Sequence, residues 1–445
     1  MNFVPPKRNG FTLIESLIGI AIFIMLVGIV YQITVLLMRE SGLYRENTTL
    51  SGIADQYLEI AHNLPYSQIG TINGNPNGPL SDLANATTTT INNTSYQMYY
   101  AVSYVDDPAD GTALAGTDSA PNDYKQVKFY IKNTTTGVVS SFLTNIAPKG
   151  LESLSSGGAL SIKVFDSLGM PVTNATINIT NTAVSPHINV TRVADTDGNW
   201  VEVGLPTSSN SYHVVVTKNG DSTDQTYPIT GQNPNPIKPD ATILNGQVTA
   251  VSFSIDKLSN LTLNSTDQSC TSTPMTGMGL IGTKLIGTPN VLKFNNTYST
   301  NSAGQVTINN LEWDNYTPSL TTSSTTVMLY GTNPIQPFTL APNSNQQFTL
   351  AYGPKTTNSL LVAVKDSVTG NAVNTASVNL KKGAYNTTTA AGNTPDCPLP
   401  GQAIFTDAPS GSGYTAIVSS SGYQTKTINN ISVGGNNLLQ VLLNH

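Results

Sequence analysis

The residues of this chain whose types and spacing predict specific chemistry lie at its start, where Gly10 and Phe11 precede the carboxylate of Glu15. A run without formal charge follows, from Ser16 to Met38. A helix of that length spans the roughly 30 Å hydrocarbon core of a membrane. Because an ionisable side chain inside such a span is costly, it has a functional role by default. The spacing therefore predicts that Glu15 makes a specific polar contact.

Basic residues precede the apolar run, with Lys7 and Arg8 just before Gly10. Positive residues beside a span favour keeping that end in the cytoplasm. A secretory signal peptide has its small-residue cleavage site after the apolar region, whereas the Gly10–Phe11 junction lies before it. Cleavage there would remove a charged leader, residues 1–10, and leave the whole apolar helix on the mature chain.

This pattern resembles the prepilin N-terminus of type IV pilins and pseudopilins. The resemblance implies cleavage after Gly10 by a prepilin peptidase and N-methylation of the new Phe11 amine. It also implies that Glu15, the fifth residue of the mature chain, contacts the Phe11 ammonium of a neighbouring subunit. The implied partners are other pilin subunits, the pilus or type II secretion assembly machinery, and the cytoplasmic membrane. The matching residues are Lys7, Arg8, Gly10, Phe11, Thr12, Leu13, Ile14, Glu15, Leu17 and Ile18.

A plain signal anchor with an incidental carboxylate is the alternative interpretation. A free carboxylate deep in lipid costs about 2.5 kcal/mol or more. The ammonium of a neighbouring Phe11 would neutralise Glu15, and N-methylation keeps that positive charge. The pair would therefore favour a subunit that enters a polymer in the correct axial register.

Composition favours a multidomain extracellular protein. The chain has 445 residues, which indicates several domains. Charged residues make up 10%, against roughly 25% in average soluble proteins. The net charge is −6 and no basic tract indicates nucleic-acid binding. Because Thr, Asn and Ser replace the missing charge among scattered Val and Ile, the composition suits β modules.

One long helix is predicted from Phe11 to Leu64, with its membrane part at residues 11–38 and Pro65 ending it. Gly42 and Gly52 weaken its middle and favour bends there. The second half carries apolar residues at helical spacings of three, four and seven, namely Leu43, Leu50, Ile53, Ala54, Tyr57, Ala61 and Leu64.

A small sheet is predicted after this helix. Strand-like alternation occurs in residues 96–105 and 125–132, and a third strand is predicted at 137–146. Residues 11–150 are therefore predicted to form a pilin-like domain, with an antiparallel sheet on the C-terminal half of the helix. Residues 147–158 read as a linker.

Repeats follow the linker. Residues 164–179 and 364–380 align as a strand, an Asp-Ser turn with Gly, and a second strand. These units resemble carboxypeptidase regulatory-like modules, which are seven-stranded sandwiches. The predicted fold class is α+β: a long transmembrane helix with a small antiparallel sheet, followed by tandem all-β sandwich modules. The three predicted modules span 158–256, 257–352 and 358–445, and the middle one matches least well.

An acidic loop is a candidate calcium site. Oxygen ligands and Gly111 in this loop could surround the ion. The spacing does not match an EF-hand, so a solvated, turn-rich loop is the competing interpretation. A second candidate, Asp195 with Asp197, is better explained by a turn. The residues of the first site are Asp106, Asp107, Asp110, Asp118 and Asp123.

The two cysteines, Cys270 and Cys397, are candidates for a disulfide that ties two modules together; two small buried thiols are the alternative. None of the four histidines lies in a metal-ligand spacing, and no nucleophile elbow or phosphate-binding loop is evident. We therefore expect no enzymatic activity and no other cofactor. Trp200 and Trp313 follow turns and are predicted to anchor module cores; the alternative is an exposed aromatic that contacts a surface glycan or a partner protein.

The predicted function is that of a structural subunit of a type IV pilus-like filament. Its bulk favours a minor subunit that displays the β modules for adhesion or partner binding. A pseudopilin of a type II secretion system and a surface-anchored binding protein that never polymerises are the alternatives. The predicted location is the cytoplasmic membrane, as a single-pass protein, before assembly and the cell surface afterwards.

Processing is directly testable with Gly10→Val. Because the small residue before the junction is lost, we expect full-length precursor to accumulate in the membrane, detected by mass spectrometry of the N-terminus. Mature chain beginning at Phe11 in this variant would show that the processing prediction is wrong.

Overall fold

The computed structural model describes residues 13–109, 111–112, 122–148, 157–320, 326–392 and 399–445. The described residues before position 156 form one compact unit, and those after it form a second. The N-terminal apolar helix, the sheet that follows it and the all-β C-terminal region confirm the predicted α+β class.

The first unit contains one long helix and a four-stranded antiparallel sheet in the order β1-β2-β3-β4. The helix ends at Asn63, just before Pro65, as the sequence predicts. Its elements are α1 (Leu13–Asn63), a 3-10 turn (Tyr66–Gln68), β1 (Thr87–Ile91), β2 (Thr94–Val105), β3 (Tyr124–Asn133) and β4 (Val139–Ile146).

The core of this unit lies between the sheet and the second half of α1. Alternate residues of β2 and β3 face the helix, as their period of two requires. Small helix residues, such as Ala54 and Ala61, are fully buried and let the sheet approach closely. The Tyr57 ring stacks on Phe129 with 4.7 Å between ring centroids. The buried strand residues are Tyr96, Met98, Tyr100, Val102, Val127, Phe129 and Ile131.

The second unit consists of three groups of strands, which we call the first module (158–255), the second module (259–354) and the third module (358–443). The first has β5 (Gly158–Phe165), β6 (Thr176–Asn181), β7 (Ile188–Val193), β8 (Asn199–Leu205), β9 (Ser208–Thr217), β10 (Asp224–Gln225), β11 (Asn235–Pro236), β12 (Ala241–Ile243) and β13 (Val248–Ser254). The second has β14 (Ser259–Asp267), β15 (Met278–Gly282), β16 (Leu285–Thr288), β17 (Val291–Leu292), β18 (Asn295–Tyr298), β19 (Gln305–Leu311), β20 (Asp314–Leu320), β21 (Val327–Asn333), β22 (Phe338–Leu340) and β23 (Asn345–Pro354). The third has β24 (Asn358–Asp366), β25 (Ser377–Lys382), β26 (Tyr385–Ala390), β27 (Gln402–Thr406), β28 (Gly411–Ser419), β29 (Lys426–Val433) and β30 (Gly435–Leu443).

Each module has two sheets that enclose one hydrophobic cluster. In all three, the first strand pairs in parallel with the last strand and antiparallel with another: β5 with β13 and β8, β14 with β23 and β19, and β24 with β30 and β27. The three groups therefore repeat one topology.

An aspartate turn follows the first strand in every module. One carboxylate oxygen of Asp166, Asp267 or Asp366 accepts two backbone N–H groups from the following residues, which fixes the turn. The turn also needs one residue with positive φ. That residue is Gly169 (80°) in the first module, Cys270 (59°) in the second and Gly370 (71°) in the third.

A second shared device is a glycine whose carbonyl accepts the N–H of a first-strand residue. Val164 donates to Gly198 at 2.7 Å, Ser265 to Gly304 at 2.8 Å and Val364 to Gly401 at 2.7 Å. All three glycines have positive φ, and an added Cβ would meet a first-strand carbonyl oxygen at 2.3, 2.7 and 2.7 Å respectively. Glycine is therefore required by both the backbone conformation and the space.

A buried tyrosine marks the corner of each module. The hydroxyls of Tyr212, Tyr316 and Tyr414 donate to carbonyl oxygens four to six residues earlier, on Pro206, Glu312 and Pro409. These rings can be buried without leaving a polar group unpaired, because each hydroxyl keeps a hydrogen bond.

The second and third modules are joined by an amide clamp. The Gln402 side chain accepts the Thr332 N–H at 2.9 Å and donates to the Thr332 carbonyl at 2.6 Å. Both residues are buried, and Leu399 packs on Ala351 beside them. Because the clamp pairs both backbone groups of one residue, it fixes the orientation of the two modules.

The close approach of Gly198 to the first strand can be tested by comparison with Gly169, a glycine of the same module that has open space around it. Gly169→Ala places a Cβ in open space at positive φ, which should cost about 1–2 kcal/mol. Gly198→Ala has a similar φ but meets the Val164 oxygen, so we expect a further ~1–3 kcal/mol. Urea unfolding followed by Trp200 fluorescence in a Trp313→Phe background measures both, and equal losses would contradict this explanation.

Candidate functional site

The apolar first half of α1 has no covering surface within the described residues. The segment Ile20–Met38 is long and apolar enough to cross a membrane by length and composition, and none of it is buried. Glu15 lies on the first described turns of the helix. Gly10 and Phe11 lie outside the described residues. The helix can therefore bury its apolar surface only in lipid or against other chains.

The second half of α1 is fastened to the sheet by specific contacts. The Tyr96 hydroxyl donates to Glu46 Oε1 at 2.9 Å, and the Tyr100 hydroxyl donates to the Tyr57 carbonyl at 2.8 Å. Leu50 is the first buried helix residue with a described side chain. One helix thus serves both as apolar anchor and as the scaffold of the first unit.

Sequence reasoning missed a buried lysine in the first unit. Lys125 is 2% exposed and donates to the carbonyl oxygens of Tyr66 at 2.8 Å and Ile69 at 2.7 Å. Its ammonium lies 4.7 Å from the centroid of the Tyr66 ring. Burial lowers the pKa of Lys125 to about 8. Lys125 therefore anchors the segment after α1 to the sheet.

The predicted calcium site is described only in part. Asp110 and Asp118 lie outside the described residues. Asp123 is buried, and its carboxylate accepts the N–H of Asp107. Within the described ranges, no group of three or more His, Cys, Asp or Glu residues is placed to hold a metal ion. Calcium binding stays a prediction.

At the other acidic candidate, the structure shows the turn. One oxygen of Asp195 accepts the N–H groups of Asp197 and Asn199 at 2.9 and 2.7 Å. This matches the turn interpretation of that segment.

Of the two cysteines, Cys270 is disulfide-bonded. Cys397, the other cysteine in the sequence, lies outside the described residues. Cys270 also occupies the positive-φ position of the aspartate turn in the second module. That turn thus contributes one end of a covalent cross-link.

The two tryptophans differ from each other. Trp200 packs against the core cluster of the first module and donates its indole N–H to Glu202 at 2.8 Å. The prediction that Trp313 anchors a core is wrong. It lies outside the core cluster of the second module and lines a cavity shared with the first. The residues that surround it come from strands far away in sequence, which explains the error.

The histidine with the best-defined surroundings is His213 in β9. Its Nδ1 lies 2.8 Å from Asp240 Oδ1, and the buried Thr226 hydroxyl donates to the same oxygen at 2.7 Å. The Thr226 oxygen in turn accepts the N–H of Val214 at 2.9 Å. These bonds pin the 226–240 segment to β9, so the cluster has a structural explanation.

Comparison with known families identifies the N-terminus. The profile of the prokaryotic N-terminal methylation motif matches residues 5–31. The chain therefore begins with a prepilin-type N-terminus like that of type IV pilins. Together with the apolar helix, this motif indicates a membrane-anchored precursor. Comparison with curated protein sequences finds no match.

Solved structures give only distant likenesses. The Bacillus anthracis TIE protein is 13% identical, with 81% of this chain and 73% of that chain covered and a TM-score of 0.19. The Streptococcus agalactiae minor pilin GBS52 is 10% identical, with 44% and 96% covered and a TM-score of 0.20. BcpA, the major pilin subunit of Bacillus cereus, is 10% identical, with 65% and 99% covered and a TM-score of 0.16. TM-scores this low do not establish a shared fold or function for this chain.

Lys125 makes the stability of the first unit depend on pH. Its pKa is about 8 when folded against a usual 10.5, so between these values the unfolded chain binds a proton that the folded chain does not. The free energy of unfolding should therefore rise with pH across that window and be flat, for this group, below it.

Urea unfolding in neutral detergent, followed by the helical circular dichroism signal, measures this dependence. Lys125→Met should abolish the rise, whereas Lys128→Met, on the exposed face of the same strand, should keep it. An unchanged pH slope in Lys125→Met would contradict the assignment.

Proposed function

We propose that this chain is a pilin-like subunit of a type IV pilus-like filament. It is cleaved after Gly10, N-methylated at Phe11 and inserted into the cytoplasmic membrane before assembly. The observation that carries the proposal is the methylation motif at the start of an apolar helix that no described residue of its own unit covers. A filament of packed N-terminal helices would bury that surface.

Glu15 is the proposed assembly contact. Its backbone lies in the first described turns of α1, before the segment Ile20–Met38. A carboxylate there is stabilised when the Phe11 ammonium of a neighbouring subunit neutralises it. Prepilin peptidase and the pilus assembly machinery are the further partners of this proposal.

The second unit is the proposed display region. Its three modules make up most of the described residues, and such bulk is easier to place at a tip or at intervals than in every subunit. We infer a minor subunit whose modules act in surface adhesion. The proposal assigns the chain no catalytic activity.

Glu15→Ala tests assembly. The variant should still be cleaved, because the Gly10–Phe11 junction is intact, but should enter filaments poorly. Glu40→Ala, beyond the apolar segment on the same helix, is the matched control and should assemble normally.

Immunogold labelling of intact cells measures the outcome and separates tip, shaft and membrane. Normal filament labelling by Glu15→Ala would overturn the assembly contact. Labelling of the wild-type chain along membranes but never on filaments would favour a surface-anchored protein or a secretion pseudopilin.

A further inference from the structure

A cleft lined by both apolar and charged side chains lies where the first and second modules meet. Two cavities of about 330 and 220 Å³ share a wall formed by Lys284, Lys293 and Glu312. Pairing of β11 with β16 holds the modules together beside it, with the Ile237 N–H donating to the Ile286 carbonyl at 3.0 Å. This pairing ties the two modules together beside the cleft.

Ion pairs hold the polar groups of the cleft in place. The two oxygens of Glu312 lie 2.7 Å from Lys284 Nζ and 2.7 Å from Lys293 Nζ. Lys293 also reaches across to donate to the Thr223 carbonyl at 3.0 Å. On the first module, Lys238 Nζ lies 2.5 Å from Asp224 Oδ2. These side chains are ordered before any ligand arrives, which lowers the entropic cost of binding.

Trp313 supplies a donor that lacks an acceptor. Its indole Nε1 is buried and has no hydrogen-bond partner among the described residues. The Lys284 ammonium lies 3.2 Å from the ring centroid and fixes one face of the indole. A buried, unpaired N–H costs free energy unless something accepts it. Trp313 lines the smaller cavity, so a ligand bound there would lie beside this indole.

Tyr227 adds an aromatic hydroxyl to the same cavity. Burial, together with the nearby carboxylates of Asp224 and Glu312, raises the pKa of Tyr227 to about 12. Its hydroxyl therefore stays protonated and able both to donate and to accept.

The charges of the cleft cancel. Lys238, Lys284 and Lys293 line it together with four carboxylates, and Lys257 forms an ion pair with one of these, Asp221, at 2.5 Å. The cleft therefore has no large net charge that would select an anion or a cation. Alternating donors and acceptors beside aromatic rings instead suit hydroxyl groups, each of which donates and accepts. The other carboxylates are Asp224, Glu312 and Asp314.

We propose that this cleft binds a short neutral glycan, of roughly one or two sugar rings given the size of the cavities. The inference rests on the proposed adhesive role and names its ligand class. Binding by the purified chain is measured separately from filament assembly. A failure of glycan binding therefore does not contradict the filament proposal, and a failure of filament assembly does not contradict glycan binding.

Fluorescence of the full-length chain in neutral detergent is the first test. The chain has two tryptophans, so Trp200→Phe leaves Trp313 as the only one. Titration with maltose, lactose and diacetylchitobiose should give a saturable change for at least one of them. Citrate and glycylglycine, as charged probes of similar size, should give none. A response to a charged probe alone, or to none of the probes, would overturn the proposal.

Variants then locate the site by calorimetric titration with the sugar that binds. Trp313→Phe should weaken binding at least tenfold, whereas Trp200→Phe, which changes the other tryptophan, should leave it unchanged. Tyr227→Phe removes only one hydroxyl and is the second cleft variant, in case Trp313→Phe fails to fold. We expect it to weaken binding several-fold. Wild-type affinity in either cleft variant would place the sugar elsewhere and refute the assignment.

Discussion

The first strand of each β module must satisfy its hydrogen bonds without water, and the rest of the module is arranged around that requirement. In β24 the residues Leu360–Val364 are all buried, and both edges of the strand are paired. A backbone in that position tolerates no unpaired group. Glycine is required at three positions because only a residue without a Cβ can bring its carbonyl close enough to accept a first-strand N–H. These positions are Gly198, Gly304 and Gly401. The aspartate turns and corner tyrosines satisfy the remaining groups where the chain leaves the sheets.

Sequence patterns predicted most of the fold because they report local requirements. Apolar spacing and Pro65 predicted α1 to within a residue at its end, and alternation predicted β2 and β3. The aspartate turn was found where glycine holds the positive-φ position and missed at Asp267, because Cys270 holds it there. Lys125 shares the parity of the buried residues of β3, yet its carbonyl partners come from the segment after α1. Trp313 was misplaced for a similar reason, since part of the cavity that it lines is formed by the first module.

The chain separates two tasks in sequence. The N-terminal residues, as proposed, direct processing and polymerisation through one carboxylate and an apolar surface that no described residue covers. The second unit buries most of its apolar residues within its own modules and has a surface rich in Thr, Asn and Ser, where the proposed partner contacts would lie. Specificity is therefore free to change in the modules without disturbing the residues that the assembly contact needs.

Parallel pairing of the first and last strands has a mechanical consequence. The chain enters each module at the start of one strand and leaves at the end of its parallel neighbour, so these two points lie at opposite ends of the pair. Tension along the chain then loads the inter-strand hydrogen bonds in shear, all together, rather than peeling them one by one. The longest of these three parallel ladders, β24 with β30, joins nine residue pairs. Such modules resist extension in the direction in which an anchored tether would pull them.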